Sequence, residues 1–377
     1  MRLIHLSDLH LGKRINEFSM IEDQEYILTK IINIIDEKEV EGVMIAGDIY
    51  DKAVPPAEAI QLFDDFITRL SHRNIPVFII SGNHDSAERM AFGSRLLDSK
   101  GIFLSPVFSG RVESIRMVDS FGELNFYLLP FIKPAYIRKI YPDENVESYN
   151  DAVKVAVKKM EVDENKRNVL IAHQFVTGAT RCESEDISVG GIDNVEATIF
   201  KSFDYAALGH IHSPQDMGIN VRYCGTPLKY SFSEVNHKKS ATIVEIGGKG
   251  DLSYFTVDLI PKRDMRKIKG SYMEVTSREN YINTNVEDYI HITLTDDDDI
   301  QDAIGKLRSI YPNIMSIEYD NKRTRENKQI DGTENIEKKT PLDMLKELYE
   351  LQNNTPMTKE QENLASDMIE KVWEVER

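Results

Sequence analysis

Five short polar clusters hold side chains that could do chemistry together: Asp8-Leu9-His10, Gly47-Asp48, Gly82-Asn83-His84, His173 and Gly209-His210-Ile211-His212. They contain two aspartates, one asparagine and five of the nine histidines. Carboxylate, imidazole and amide oxygen suit Mn2+, Fe2+ or Zn2+, and the absence of cysteine disfavours a thiolate zinc site. A single carboxylate, Asp48, can bridge two ions about 3.5–4 Å apart, the spacing of two-metal hydrolases. Asp8, His10 and His212 then complete one ion, and Asn83, His173 and His210 the other. His210 and His212 reach the same side if the backbone there is extended, because alternate residues of a strand share a face. Such a pair lowers the pKa of bound water from ~16 toward about 7, which points to hydrolysis.

His84 directly follows Asn83 and need not bind metal. It can stabilise charge on a phosphate or protonate a leaving oxygen near neutral pH. Asp51 lies three residues beyond Asp48 and either orients a ligand or His84 by hydrogen bond or is an exposed loop carboxylate. His5, His72, His237 and His291 lack such surroundings and read as structural or exposed.

The elements that must position these groups are short apolar runs, one before each cluster: Arg2–Leu6, Val43–Ala46, Val77–Ile80, Val169–Ala172 and Tyr205–Leu208. Runs of this kind read as strands buried on both faces. In an open α/β sheet, ligands gather beyond the carboxyl ends of the strands, so one sheet edge is expected to collect all five clusters. Helical spacing appears over 21–37 and from Pro55-Pro56 to Leu70, and Ser86 can cap a third helix. Strands follow at Ala241–Glu245 and Leu252–Leu259, joined by a turn at Gly247–Gly250.

Pro261 and the basic stretch Lys262–Lys267 mark a boundary. Beyond it the pattern predicts strands near Tyr272–Val275, Tyr289–Leu294 and Ile314–Tyr319, with a helix near Ile300–Ile310. The run Asp296–Asp299 reads as N-capping of that helix. Residues 326–339 read as a polar linker. Two capped helices close the sequence, one starting at Thr340-Pro341 and one at Thr358 with Gln361.

The chain has 377 residues, 41% hydrophobic and 29% charged, with formal net charge −17. That length fits two or three domains. No apolar stretch is long enough to span a membrane, and strand 1 begins too early for a signal peptide. Two cysteines make no disulfide framework, so a cytoplasmic protein with free thiols is expected. Cys224 reads as a small core residue. The net charge argues against a coat of positive charge for nucleic acid but does not exclude a nuclease. Local basic candidates are Lys13, Arg14, Arg89, Arg95, Lys229, Lys238 and Lys239, each read singly as a surface charge.

The clusters around Asp8, Asp48–Asp51, Asn83–Asp85 and His210–His212 resemble the motifs of the calcineurin-like metallophosphoesterases over most of residues 1–240. The stretches His5–Lys13, Ser81–Ser86 and Tyr223–Glu234 resemble, more narrowly, the bacterial SbcD family of nucleases. The resemblance implies a metallophosphoesterase α/β fold, a β-sandwich flanked by helices, with a small α+β capping domain and C-terminal helices. It divides the chain into a nuclease domain at 1–262, a DNA-contacting capping domain at 263–325, the linker at 326–339 and a helical docking segment at 340–377. It also implies two Mn2+ ions, with Mg2+ or Fe2+ as alternatives, and His84 assisting the departing 3′ oxygen. The implied activities are 3′ to 5′ double-strand exonuclease and single-strand or hairpin endonuclease. The implied partners are DNA, an SbcC-type coiled-coil ATPase and a second copy of the chain in a two-plus-two assembly. Helices near 27–35 and 57–70, or the 86–97 segment, are candidates for pairing the two copies. A phosphatase acting on a phosphoprotein or small nucleotide, or a silent DNA tether, are the rival readings.

Overall fold

Each of the five apolar runs forms a strand that is buried along its length, Arg2 aside. The computed structural model describes residues 1–185, 194–298, 300–321, 340–353 and 355–375. In chain order the main strands are β1 (Arg2–Leu6), β2 (Gly42–Ala46), β3 (Val77–Ile80), β4 (Ile102–Leu104), β5 (Ser114–Asp119), β6 (Gly122–Leu129), β7 (Arg167–His173), β8 (Tyr205–Gly209), β9 (Gln215–Asp216), β10 (Val221–Tyr223), β11 (Ser240–Ile246) and β12 (Leu252–Asp258). They build two six-stranded sheets, β12-β11-β1-β2-β3-β4 and β9-β10-β8-β7-β6-β5. β1 to β4 pair in parallel, and β11 and β12 add antiparallel. In the second sheet β6, β7, β8 and β10 are parallel, with antiparallel strands at both edges.

The five runs therefore do not share one sheet edge. β1, β2 and β3 belong to one sheet and β7 and β8 to the other. The sheets face each other across a core that includes Leu3, Met44, Phe78, Phe126, Ile171 and Tyr205, where the Phe78 and Phe126 rings stack at 3.9 Å. Because both faces of the central strands are covered, they are apolar at every position rather than alternating. Helices α1 (Ile21–Glu37) and α2 (Ala57–Ser71) cover the outer face of the first sheet through Ile27, Ile31, Phe63 and Phe66. Pro56 sits at the N-cap of α2, so the two prolines precede the helix rather than occupy its first turn. Helices α3 (Pro134–Ile140) and α4 (Tyr149–Lys158) cover the second sheet. The layers are helix, sheet, sheet, helix, and the carboxyl ends of β1, β2, β3, β7 and β8 meet at one end. The 86–97 segment is two single turns, with Ser86 capping the first through Arg89 N.

A third sheet follows, made of parallel strands β13 (Met265–Gly270), β14 (Tyr289–Leu294) and β15 (Ile314–Tyr319). The strand expected at Tyr272–Val275 is instead helix α5 (Tyr272–Thr276), closed by a capping box between Ser271 and Glu274. The strand lies in the basic stretch that read as a boundary. Helix α6 is shorter than expected, Ala303–Arg308, and Asp302 caps it. Asp296 caps α5 instead, accepting from Tyr272 N at 2.7 Å. Helices α7 (Pro341–Asn353) and α8 (Lys359–Val375) form a hairpin. Thr340 with Asp343, and Thr358 with Gln361, make the capping hydrogen bonds. The expected linker at 326–339 lies outside the described residues. Among the described residues no helix is long and apolar enough to cross a membrane.

Candidate metal centre

The loops after β1 and β2 run side by side beyond the strands. Asp8 N donates to Gly47 O at 3.0 Å, His10 N to Asp48 O at 3.0 Å and Leu11 N to Ile49 O at 2.9 Å. The turns are tight enough to place Asp8 (φ 52°), His10 (φ 44°), Asp48 (φ 49°) and His210 (φ 100°) in left-handed conformations, which non-glycine residues adopt at a cost of ~1–3 kcal/mol each. Two glycines are required by close approach. A Cβ on Gly82 would lie 2.1 Å from Asp48 Oδ1, and one on Gly209 would lie 1.9 Å from Ala46 O. Asp85 ties the loops together: its carboxylate accepts from Ile49 N (3.1 Å), Tyr50 N (2.9 Å) and Gly82 N (2.9 Å).

All seven expected ligands converge. Asp48 Oδ2 lies 3.9 Å from His10 Nε2 and 3.3 Å from His173 Nε2. On one side, His10 Nε2 faces His212 Nε2 at 3.2 Å, and Asp8, His10 and His212 form one compact donor group. On the other, Asn83 Oδ1 lies 2.9 Å from His173 Nε2 and 2.9 Å from His210 Nδ1. His210 N also donates to Asp8 Oδ1 at 3.0 Å. His210 and His212 do not reach the site by strand alternation. β8 ends at Gly209, and a bend at His210 turns its ring toward Asn83 while His212 turns toward His10.

The donor set fits a pair of cations. His173 Nδ1 donates to Ala46 O at 2.8 Å, so Nε2, which faces Asn83 Oδ1 and Asp48 Oδ2, is the nitrogen that would coordinate once its proton is lost. His10 Nε2 and His212 Nε2 share one hydrogen bond at 3.2 Å with carboxylates around them, and once that proton is lost both nitrogens would be lone pairs aimed at one position that a cation could fill. Burial, together with the Asp48 charge, raises Asp8 to about 6. Burial opposes charge on His173, yet Asp48 pushes it up to about 9. Burial lowers His10 and His210 well below the usual histidine value.

Sequence reasoning missed the supports. His212 Nδ1 lies 2.8 Å from Ser184 Oγ and 3.2 Å from Glu234 Oε1. Glu234 is fully buried, and Lys239 Nζ pairs with its other oxygen at 2.5 Å. Burial opposes charge there, but His212 and Lys239 hold the Glu234 carboxyl well below the usual range. Lys239, expected as a surface cation, is 6% exposed and also donates to His212 O and Thr226 Oγ1. Lys13 pairs with Asp51 and Lys229 with Asp264, whereas Arg14, Arg89, Arg95 and Lys238 are exposed. Cys224 is buried, and both cysteines are free thiols.

His84 is half-buried beside the cluster, its ring edge-on to His10 at 4.9 Å. Its N donates to Asp48 Oδ1 at 2.9 Å, and its Nδ1 donates to the Asp51 carbonyl at 2.9 Å. Asp51 thus touches His84 through main chain, while its carboxylate holds Lys13 at 2.6 Å. A cleft of about 850 Å3 opens beside His84, walled by Phe108, Phe131 and Tyr136 and bearing Lys52, Lys133 and Lys139.

The calcineurin-like phosphoesterase family matches residues 1–214, more than half of the chain. The family SbcD_C, described as a type 5 capsule protein repressor C-terminal domain, matches residues 261–353. The SbcD component of nuclease SbcCD from Staphylococcus epidermidis is 33% identical over 322 residues, covering 84% of this chain and 85% of that protein. The chain belongs to the SbcD nuclease family. The SbcD protein of Staphylococcus saprophyticus is 32% identical over 322 residues, with 84% of each chain covered. As an SbcD-family member the chain is a metal-dependent phosphodiesterase. Among solved structures, a dimetal phosphatase from Danio rerio is 12% identical over 69% of this chain and 99% of that one, with a TM-score of 0.39.

Proposed function

We propose that the chain is the DNA-cutting member of a complex with an SbcC-type coiled-coil ATPase. It acts as a 3′ to 5′ double-strand exonuclease and a single-strand or hairpin endonuclease on two Mn2+ ions. The observation that carries this reading is Asp48 Oδ2, placed between His10 Nε2 and His173 Nε2. Asp8, His10 and His212 would hold one ion and Asn83, His173 and His210 the other, with Asp48 placed to serve both. When bound, such a pair activates water and neutralises charge at phosphorus. The remaining work falls to the chain. Asp85 fixes the Asp48 loop against the Asn83 loop. The Asp51 carbonyl fixes one ring nitrogen of His84, so the other can serve the leaving 3′ oxygen.

Substrate support lies around the cleft. Lys52, Lys133 and Lys139 meet phosphates, and Phe108 and Tyr136 offer faces on which an unpaired base can stack. Arg181, stacked 3.4 Å over the Phe175 ring, adds positive charge on the His210 side. The unit at 263–325 caps the nuclease domain at 1–262 and contacts DNA. The hairpin of α7 and α8 docks the ATPase through an apolar groove lined by Leu345, Leu364 and Met368, and the assembly holds two copies of each chain. A panel of duplex DNA, cyclic nucleotide and phosphopeptide tests the substrate: turnover confined to DNA is expected, and turnover of the phosphopeptide alone overturns the reading. Deleting 335–377 is expected to abolish association with SbcC.

A further inference from the structure

Helix α1 does two jobs within three consecutive residues. Glu22 and Asp23 anchor the third sheet. Arg263, just before β13, donates to Asp23 through Nε at 3.1 Å and Nη2 at 2.6 Å, and to Glu22 at 2.6 Å. Tyr289 of β14 donates to the same Asp23 carboxylate at 2.7 Å. Asp23 has no exposed surface, so this pairing fixes how the third sheet sits on the helix.

The next residue, Gln24, is 1% exposed and points the other way, into the loop that carries His10. Its Nε2 donates to His10 O at 2.7 Å and lies 3.1 Å from Tyr230 Oη. Its Oε1 accepts from Gly12 N at 3.0 Å. Tyr230 Oη in turn donates to Leu9 O at 2.5 Å. One amide group thus holds the loop at His10 and at Gly12, and His10 itself is kept at φ 44°. Only a group with a donor and an acceptor can do this: a carboxylate cannot donate and an aliphatic chain can do neither.

We infer that Gln24 is a positioning residue for His10, and that the Arg263–Asp23 anchor sets it, so that seating of the third sheet tunes the affinity of the ion held by His10. The inference rests on the proposed role of His10 as a ligand. Groups that orient a ligand typically change metal affinity 10–100-fold when removed.

The test is Mn2+ binding without DNA, followed by electron paramagnetic resonance titration of the full chain, with thermal midpoints alongside. Gln24→Leu keeps the volume and removes the clamp. Its expected result is a loss of about 10-fold or more in affinity for one ion, with the second ion unchanged. Arg263→Gln, distant from the centre, is expected to weaken the same ion by a smaller factor, and it keeps the inference open to test if Gln24→Leu does not fold. Wild-type affinity for both ions in Gln24→Leu overturns the positioning role. Equal weakening of both ions with a fallen midpoint marks a structural role only and also overturns it. Unchanged affinity in Arg263→Gln overturns the link to the third sheet. A wild-type chain that binds no Mn2+ overturns the metal-site reading itself.

Discussion

His212 is oriented by Glu234: its Nδ1 lies 3.2 Å from the buried carboxylate while its Nε2 lies 3.2 Å from Nε2 of His10. A carboxylate behind a metal-facing histidine fixes both the tautomer and the ring. Glu234 is itself held by Lys239, so orientation and stability are joined in one side chain. Glu234→Gln is expected to weaken binding of one Mn2+ ion by roughly 10–100-fold. It should also cost about 3–5 kcal/mol of stability, because Lys239 keeps a buried charge without its partner. Calorimetric titration and urea unfolding check the two effects. Unchanged values in both would remove Glu234 from the account.

Metal binding should release protons. In the metal-free chain His173 is pushed up to about 9 and His212 to about 10, burial opposing the charge and Asp48, or Cys182 and Glu234, favouring it. Both rings therefore carry a proton at pH 7, and each must lose it before its nitrogen can coordinate. About two protons should leave per loaded centre, and affinity should rise as pH increases from about 7 toward about 10. Titrations in buffers of different ionisation enthalpy measure this directly, and buffer-independent heats would contradict it.

Acid stability has a separate source far from the centre. Arg167 grips Asp119 at 2.6 and 3.0 Å, and that hydrogen bond lowers the Asp119 carboxyl to about 2. A depressed carboxylate contributes stability above its unfolded value of about 3.9, and the contribution is lost as pH falls through about 2. Asp119→Asn should cost about 2 kcal/mol at pH 7. The gap from the natural chain should narrow below about pH 4. A gap that stays constant between about pH 7 and about pH 3 would contradict the assignment.

The parts of the fold and centre that were legible in sequence are those with a local cause. Val77–Ile80 and Tyr205–Gly209 are apolar at every position because both faces are covered, and a polar residue directly after such a strand must lie at its end. Supports that act across the chain left no such trace. Asp8 and His210 are 202 positions apart, and Tyr230 and Leu9 are 221 apart. Lys239 looks like any surface lysine until Glu234 is seen beside it. The helix at Tyr272–Thr276 did carry a local signal, Ser271 with Glu274 three residues on, which outweighs the β-prone Tyr and Val between and beyond them. The strand at Met265–Gly270 was hidden by Lys267 and Lys269, which occupy the open face of an edge strand, and by Arg266, which points to the other face and pairs with Asp288.

The most direct test of the whole account is cleavage of end-labelled duplex DNA by the purified chain with SbcC, in Mn2+ and in EDTA, with His84→Ala alongside. The account predicts degradation in Mn2+, none in EDTA, and a loss of about 100-fold or more in His84→Ala while Mn2+ binding is kept. Intact DNA in Mn2+ with SbcC present, or wild-type turnover by His84→Ala, would contradict it.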